Sequence, residues 1–373
     1  MTKIIAAIDS LKGCLTSQEA NRAAAEGIHA VWPRADVVEV PVSDGGEGFL
    51  EAYQAATGGK MVELTVSDPL MRPVRAAYLL HDDTAVIEMA KACGLTLLTE
   101  EERNPMVATS YGVGQLVADA VRRGAKHVIV GLGGSATSDA GMGMLRALID
   151  AFAKRDDGTA IRGCWDDITA LKSVSFTIAT DVRNPLCGER GAAHVFAPQK
   201  FSAKKAEEGI ADEIQALDRR AAKFAALSAK HFGFDRSGDA GAGAAGGLGY
   251  AFMQYLDADS QTGIKLLLDA IRFKDIVRDA DLVITGEGAA DRQTLMGKLP
   301  MGILRQAGSI PVCLIAGRIA NREELLQAGF ADVVCINPPD FPLSEAMRKE
   351  VAKKHIALSV GKILKVRLTA TTI

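Results

Sequence analysis

Short apolar runs, each closed by a loop rich in glycine and acidic residues, recur along the chain, and between them the apolar positions fall at helical spacing. Ile4–Ile8 is a continuous apolar run and reads as a buried strand. The loop DSLKGCLTS follows, and then a helix whose start is marked by Thr16 with Glu19 three residues on, the spacing of a capping box. Ala20, Ala23, Ala24, Ile28 and Val31 share one face of that helix. Asp36–Val42 predicts a second strand, running into the loop SDGGEG, and Phe49–Ala56 a short helix. Towards the C-terminus, Asp281–Thr285, Ile310–Ala316 and Ala331–Ile336 predict three further strands, the first running into GEGAADRQT. Strands alternating with helices in this way predict a parallel, doubly wound sheet, whose ligands lie beyond the carboxyl ends of the strands.

The middle of the chain has a different rhythm. Residues 61–87 read as strands joined by turns at Asp68-Pro69 and Asp82-Asp83, which favours antiparallel pairing. Val113, Leu116, Val117, Ala120 and Val121 mark an amphipathic helix that stops at Gly124. Strands at His127–Val130 and Ser175–Ala179 lead into GLGGSATSDAG and TDVRNPLCG. The expected fold is therefore α/β. A discontinuous Rossmann-like, flavodoxin-like parallel-sheet domain, residues 1–60 with 281–373, carries an inserted mixed α/β domain, residues 61–280.

Composition narrows the function classes. A chain of 373 residues with 48% apolar and 24% charged residues suits two globular domains. With 43 basic against 46 acidic residues and only 5% aromatics, it offers neither a polyanion-binding surface nor a base-stacking platform, so nucleic acid is not an expected partner. The six cysteines form no C-x-x-C pair and read as reduced. No basic n-region precedes the first strand and no apolar run reaches the ~20 residues of a membrane span, so the expected location is the cytoplasm, away from membranes.

The chemistry is concentrated in the loops. In GLGGSATSDAGMG a strand feeds a glycine-rich turn and a helix, so Gly133 and Gly134 could let backbone N–H groups approach an anion, with Ser135, Thr137 and Ser138 adding hydroxyls. The alternative is a tight turn with close helix packing, and the same pair of readings holds for GAGAAGGLG with Gly243 and Gly246. Asp44, Glu47, Asp139, Asp181, Glu287 and Asp291 all stand near glycine or proline at predicted strand ends. Phosphoryl transfer uses such carboxylates to hold Mg²⁺ or accept a proton, and cations to offset developing charge. Lys12, Lys200 and Lys298 lie in comparable loops, and Arg183 and Asn184 could contact a carboxylate or phosphate. Any one of these acids could equally be a turn or cap residue. The histidines lack zinc-site spacing, no G-x-S-x-G elbow is present, and His194 in GAAHVF reads as a packed core residue.

Taken in order, IIAAIDSLKGCLTSQEA, PVSDGGEG, ERNPMVATSYGVGQL, GLGGSATSDAGMGML, ATDVRNPLCGERGAAHVFAPQK, GAGAAGGLG and DLVITGEGAADRQTLMGKLP resemble the bacterial class I glycerate kinases nearly end to end. The resemblance implies ATP and Mg²⁺ as cofactors, D-glycerate as acceptor and an active site in a cleft between the two domains. Its matching positions are Lys12, Asp44, Glu47, Ser135, Asp139, Asp181, Asn184, Gln199, Lys200, Glu287 and Asp291. Three positions depart from the family's pattern: Ala289 where an arginine is usual, and Phe201 and Ala140 where glycine is usual. Arg292 or Arg318 is the neighbouring cation that could replace the missing one.

The expected mechanism has Lys12 or Lys200 offsetting charge at the transferring phosphoryl and Asp181 or Asp139 orienting the hydroxyl. Asp44, Glu47 and Glu287 support Mg²⁺ or bind glycerate, with Arg183, Asn184 and Asp291 as further substrate contacts. The glycine loops hold the triphosphate. A kinase for a related hydroxy acid and a non-catalytic sensor of a nucleotide or phospho-acid are the rival readings, and a homodimer is an open expectation.

Overall fold

The computed structural model describes residues 2–43, 48–153, 155–156, 160–161 and 164–370. The chain divides into two compact units, Met1–Asp44 with Ile264–Ile373, and Gly45–Gly263. Among the described residues the strands, in chain order, are β1 (Lys3–Ile8), β2 (Asp36–Glu39), β3 (Lys60–Ser67), β4 (Pro73–His81), β5 (Thr84–Glu88), β6 (His127–Gly131), the short hairpin β7 (Arg155–Asp156) and β8 (Ala160–Ile161), β9 (Ser175–Ala179), β10 (Asp259–Gln261), β11 (Leu282–Ala290), β12 (Val312–Ile319) and β13 (Asp332–Cys335).

The first unit holds one sheet in the order β13-β12-β11-β1-β2, parallel throughout. Its third strand in sequence, β11, lies beside its first, so the winding direction reverses between β1 and β11, which is the flavodoxin-like order with its ligand crevice at that point. β1 is an interior strand and apolar on both faces: Ile4, Ile5, Ala6, Ala7 and Ile8 are all fully buried, and on one face Ile4 and Ile8 share a core with Ile28, Ile284, Ile315 and Ile356. The helix Ser17–Val31 starts with the expected capping box. Thr16 Oγ1 accepts from Glu19 N at 3.1 Å and Glu19 Oε2 accepts from Thr16 N at 3.0 Å. It packs on the helix Lys349–Ala370 so closely that a Cβ on Gly27 would sit 2.3 Å from the Ala357 carbonyl oxygen.

The second unit holds the sheet β10-β9-β6-β5-β4-β3, parallel from β10 to β5 and antiparallel from β5 to β3. The turns at Asp68 and Asp82 join the antiparallel strands as their sequence suggests. Asp68 Oδ1 accepts from Leu70 N and Arg72 N, both at 2.8 Å, and Asp82 adopts φ +50°. The helices Tyr111–Arg122 and Met142–Phe152 approach backbone to backbone at Gly114, whose Cβ would lie 2.4 Å from Met144 O. No helix among the described residues is long and apolar enough to cross a membrane.

Two features differ from the sequence reading. The junctions fall at 44/45 and 263/264 rather than near 60/61 and 280/281. The helix Phe49–Thr57 packs on β4 and β5, and Ile264 packs under Gly302, which assigns each segment to its unit. In addition β11 continues through GEGAA, read above as loop, because Ala289 and Ala290 pair in parallel with Arg318 and Ile319 of β12. Gly286 permits this: a Cβ there would meet Ile315 O at 2.6 Å.

Candidate functional site

At the carboxyl ends of β1, β11 and β12 the first unit opens into a cavity of about 440 Å³. Asp9 extends the ladder of β1 by one bond, Asp9 N to Gly286 O at 2.9 Å, so its carboxylate is held at the sheet edge, buried, with Oδ1 accepting from Ser10 N at 2.7 Å. The chain then folds back on itself. Leu11 N donates to Leu15 O and Leu15 N to Leu11 O, with Gly13 at φ +72°, and this turn presents Lys12 at an exposed tip in the cavity wall. Glu287, on β11, is also nearly buried and accepts from Thr294 Oγ1 at 2.5 Å. Lys298 and Arg318 line the same space, and among the described residues neither they nor Lys12 is paired with a carboxylate. Three cations and two carboxylates thus line one cavity, a setting that suits an anion accompanied by a metal ion.

Of the two candidate cations, Arg318 is the one placed beside Ala289. Arg318 and Ala289 are register partners on adjacent parallel strands and both line the cavity. Arg292 does not: its guanidinium is bound to Glu324, with Nη2 to Oε1 at 2.9 Å and Nε to Oε2 at 3.0 Å. The wall behind Arg318 is braced by Asn337. Asn337 Nδ2 donates to Gly317 O at 2.8 Å and its Oδ1 accepts from His355 Nδ1 at 2.8 Å. Asp291 lies outside the cavity lining and caps the turn Arg292–Leu295, accepting from Gln293 N at 2.7 Å.

In the second unit the carboxyl ends of β5, β6 and β9 bring together Glu88, the glycine loop 131–143 and the loop 180–190. Much of the glycine loop is tied down. Ala136 N donates to Cys93 O, Ala140 N to Gly246 O, and Gly141 N and Gly143 N to Asp139. Asp139 is buried and also accepts from Ser110 N at 2.8 Å and Ser110 Oγ at 2.9 Å, so its carboxylate fastens the loop to the starts of two helices. Lys200 is buried beneath the loop, with Nζ donating to Ser135 Oγ at 2.8 Å and Thr137 O at 2.6 Å. Burial pushes its pKa down to about 8, against the opposing pull of Cys93 and Asp139.

The segment GAGAAGG packs into the back of this loop. A Cβ on Gly246 would sit 1.9 Å from Thr137 O, and one on Gly243 would sit 2.3 Å from Pro185 O. By contrast Gly134, Asp181 and Arg183 are exposed, and Gly133, Ser135 and Asn184 half-buried. Asn184 Nδ2 is bound to Arg190 O at 2.8 Å. His194 is half-buried beside Asp218, its Nδ1 3.8 Å from Oδ1, rather than packed in the core as its apolar neighbours suggest.

The sequence-predicted residues thus divide. Lys12, Glu287 and Lys298 meet in the first-unit cavity; in the second unit Lys200 binds Ser135 and Thr137 from beneath the glycine loop while Asp139 binds Ser110, Gly141 and Gly143; Asp44 and Glu47 lie outside the described residues. Sequence reasoning missed Asp9, Asn337 and Glu88. Asp9 carried a signal, as the first acid after a buried strand; Asn337, bound to His355 18 residues away, carried none.

A model of the Glycerate kinase family matches residues 4–367. The chain is 41% identical over 360 residues to the glycerate kinase of Bacillus subtilis (strain 168), with 92% of each chain covered. It is 40% identical over 334 residues to the glycerate 2-kinase of Escherichia coli (strain K12), with 86% of each covered. A crystal structure of a candidate glycerate kinase 2 from Salmonella typhimurium LT2 matches with a TM-score of 0.80 at 34% identity, over the whole of both chains.

Proposed function

The chain belongs to the glycerate kinase family, and from that premise we propose that it transfers the γ-phosphoryl group of ATP, with Mg²⁺, to a hydroxyl of D-glycerate in the cytoplasm. The observation that carries this reading is the cavity in which Lys12, Lys298 and Arg318 stand beside Asp9 and Glu287 without an ion-pair partner among the described residues. Phosphoryl transfer asks little covalent chemistry of a protein; it needs cations where charge develops and oxygen donors for the metal.

The donor set suits Mg²⁺, a hard cation that takes one or two carboxylates together with substrate phosphates. Asp9 and Glu287 offer two nearly buried carboxylates, and Asp44 and Glu47 remain further candidates. Bound there, Mg²⁺ supplies charge neutralisation at the phosphoryl oxygens. Lys12, at the tip of its turn, is proposed to offset charge on the transferring group. Arg183, exposed at the end of β9, suits the carboxylate of the acid, with the Asn184 side-chain oxygen and the backbone at Gly133 and Gly134 as neighbouring contacts. Asp181 is proposed to orient the hydroxyl and take its proton. Asp139 and Lys200 are proposed as positioning residues: their polar atoms already hold the glycine loop, and the rigidity they lend it is their contribution.

The test is ADP release from the purified protein with ATP, Mg²⁺ and D-glycerate, with phosphorus NMR of the product. Glycerate-dependent release is expected, and Asp181→Asn should lower kcat by roughly 10²–10⁴-fold, the scale of general-base loss, with an unchanged circular dichroism spectrum. A folded protein without glycerate-dependent release refutes the reading, and unchanged turnover in the variant removes Asp181 from it.

A further inference from the structure

Resting on the kinase reading, we propose that the first-unit cavity is the nucleotide pocket, with the base lying against Ile336, Leu343 and Met347 and the phosphates held by Lys12, Lys298 and Arg318. Size is the first argument. A volume of about 440 Å³ lies within the ~300–1,000 Å³ of pockets that enclose drug-sized ligands, far more than a three-carbon acid fills.

The lining is the second. The lining is of two kinds: Lys12, Lys298, Arg318, Asp9 and Glu287 are charged, and Ile336, Leu343, Ala346 and Met347 are apolar, with the turn that carries Lys12 reaching the apolar group where Gly13 comes close to Met347. Leu343 is 75% exposed and Met347 40% exposed, so two large apolar side chains stand in water at one cavity wall. A flat base laid over them removes that surface from water, while the neighbouring cations meet the anionic tail. A ligand that is an aromatic ring at one end and a polyanion at the other matches this distribution; a small hydroxy acid leaves the apolar wall uncovered.

Position is the third. The cavity lies at the carboxyl ends of β1 and β11, where the winding reverses, the place at which sheets of this order bind their ligands.

In the competing location, the glycine loop of the second unit, several of the groups are already engaged. The N–H groups of Ala136, Ala140, Gly141 and Gly143 already donate within the protein, and Ser135 Oγ accepts from Lys200. Gly246 and Gly243 face backbone carbonyls at closest approach rather than open space. These glycines are accounted for by packing.

The experiment measures MgADP affinity by titration calorimetry for the wild-type chain, Arg318→Ala, Leu343→Glu and Arg183→Ala, all changes at exposed positions, with folding checked by circular dichroism. Arg318→Ala and Leu343→Glu should each weaken MgADP by on the order of tenfold or more while the KM for glycerate stays within about threefold, and Arg183→Ala should do the reverse. Photolabelling with 8-azido-ATP should mark the peptide containing Leu343 and Met347. Unchanged MgADP affinity in both cavity variants, or label on the peptide containing Gly133 and Gly134, overturns the assignment while leaving a turning-over enzyme a kinase. A wild-type chain that neither binds MgADP nor turns over glycerate removes the kinase reading, and the pocket with it.

Discussion

Replacing Lys200 by methionine keeps a side chain of similar length in the same buried slot and removes its titratable amine. In the folded protein burial pushes the Lys200 pKa from 10.5 down to about 8. The folded value lies below the unfolded one, so between pH 8 and 10.5 the unfolded chain holds more protons than the native one. Stability contributed by this group therefore rises with pH through that window and is lost as pH falls back through 8. At about 1.4 kcal/mol per pKa unit the full span is roughly 3 kcal/mol, and the portion between pH 7 and pH 9.5 is about 2 kcal/mol. The variant also loses the donors to Ser135 Oγ and Thr137 O, a cost of about 1–3 kcal/mol that does not depend on pH. Urea unfolding of both chains at pH 7, 8.5 and 9.5 separates the two effects. The stability difference between wild type and Lys200→Met should widen by about 2 kcal/mol from pH 7 to pH 9.5, the wild type gaining. A difference that stays constant within about 0.5 kcal/mol would show that Lys200 titrates as an ordinary lysine and would refute the account of its burial.

Two further perturbations test the scaffold. Gly246→Ala places a Cβ 1.9 Å from Thr137 O at a residue with φ +67°, and should cost roughly 3–5 kcal/mol in urea unfolding; a loss under about 1 kcal/mol would mean the two loops are not in contact. Thr16→Ala removes one half of the capping box on Ser17–Val31 and should lower stability by about 1 kcal/mol with kcat unchanged, which equilibrium unfolding and the ADP assay together check.

What the sequence disclosed was whatever local chemistry decides. Thr16 and Glu19 announce a helix start because both partners of the reciprocal bonds lie within one turn. Ser175–Ala179 is apolar enough to be a strand wherever it packs. The extension of β11 through GEGAA was hidden because a Gly-Glu-Gly run has turn composition, and only pairing with β12, some thirty residues later, keeps it extended. The candidate site shows the same division. Glycine composition in 241–249 was visible, yet whether those glycines face a phosphate or a neighbouring backbone depends on Thr137 and Pro185, far away in sequence. Asp139 and Lys200 were recognisable as unusual charged residues, but the hydrogen bonds that bury them converge from Ser110, Ser135 and Gly143, and no periodicity encodes that convergence.

The central pairing of β1 with β11 joins residues about 280 apart, across the whole of the second unit. During synthesis the first two strands leave the ribosome with an open edge, and their partner follows only after some 240 further residues, about 10–50 s at ~5–20 residues per second. The second unit is contiguous and can complete itself in that interval. The first must wait, its apolar β1 uncovered, until β11 pairs with it and the helix Lys349–Ala370 closes over Ser17–Val31. The enzyme is thus assembled from the middle outward, and its most exposed moment to aggregation belongs to the N-terminal segment that was made first.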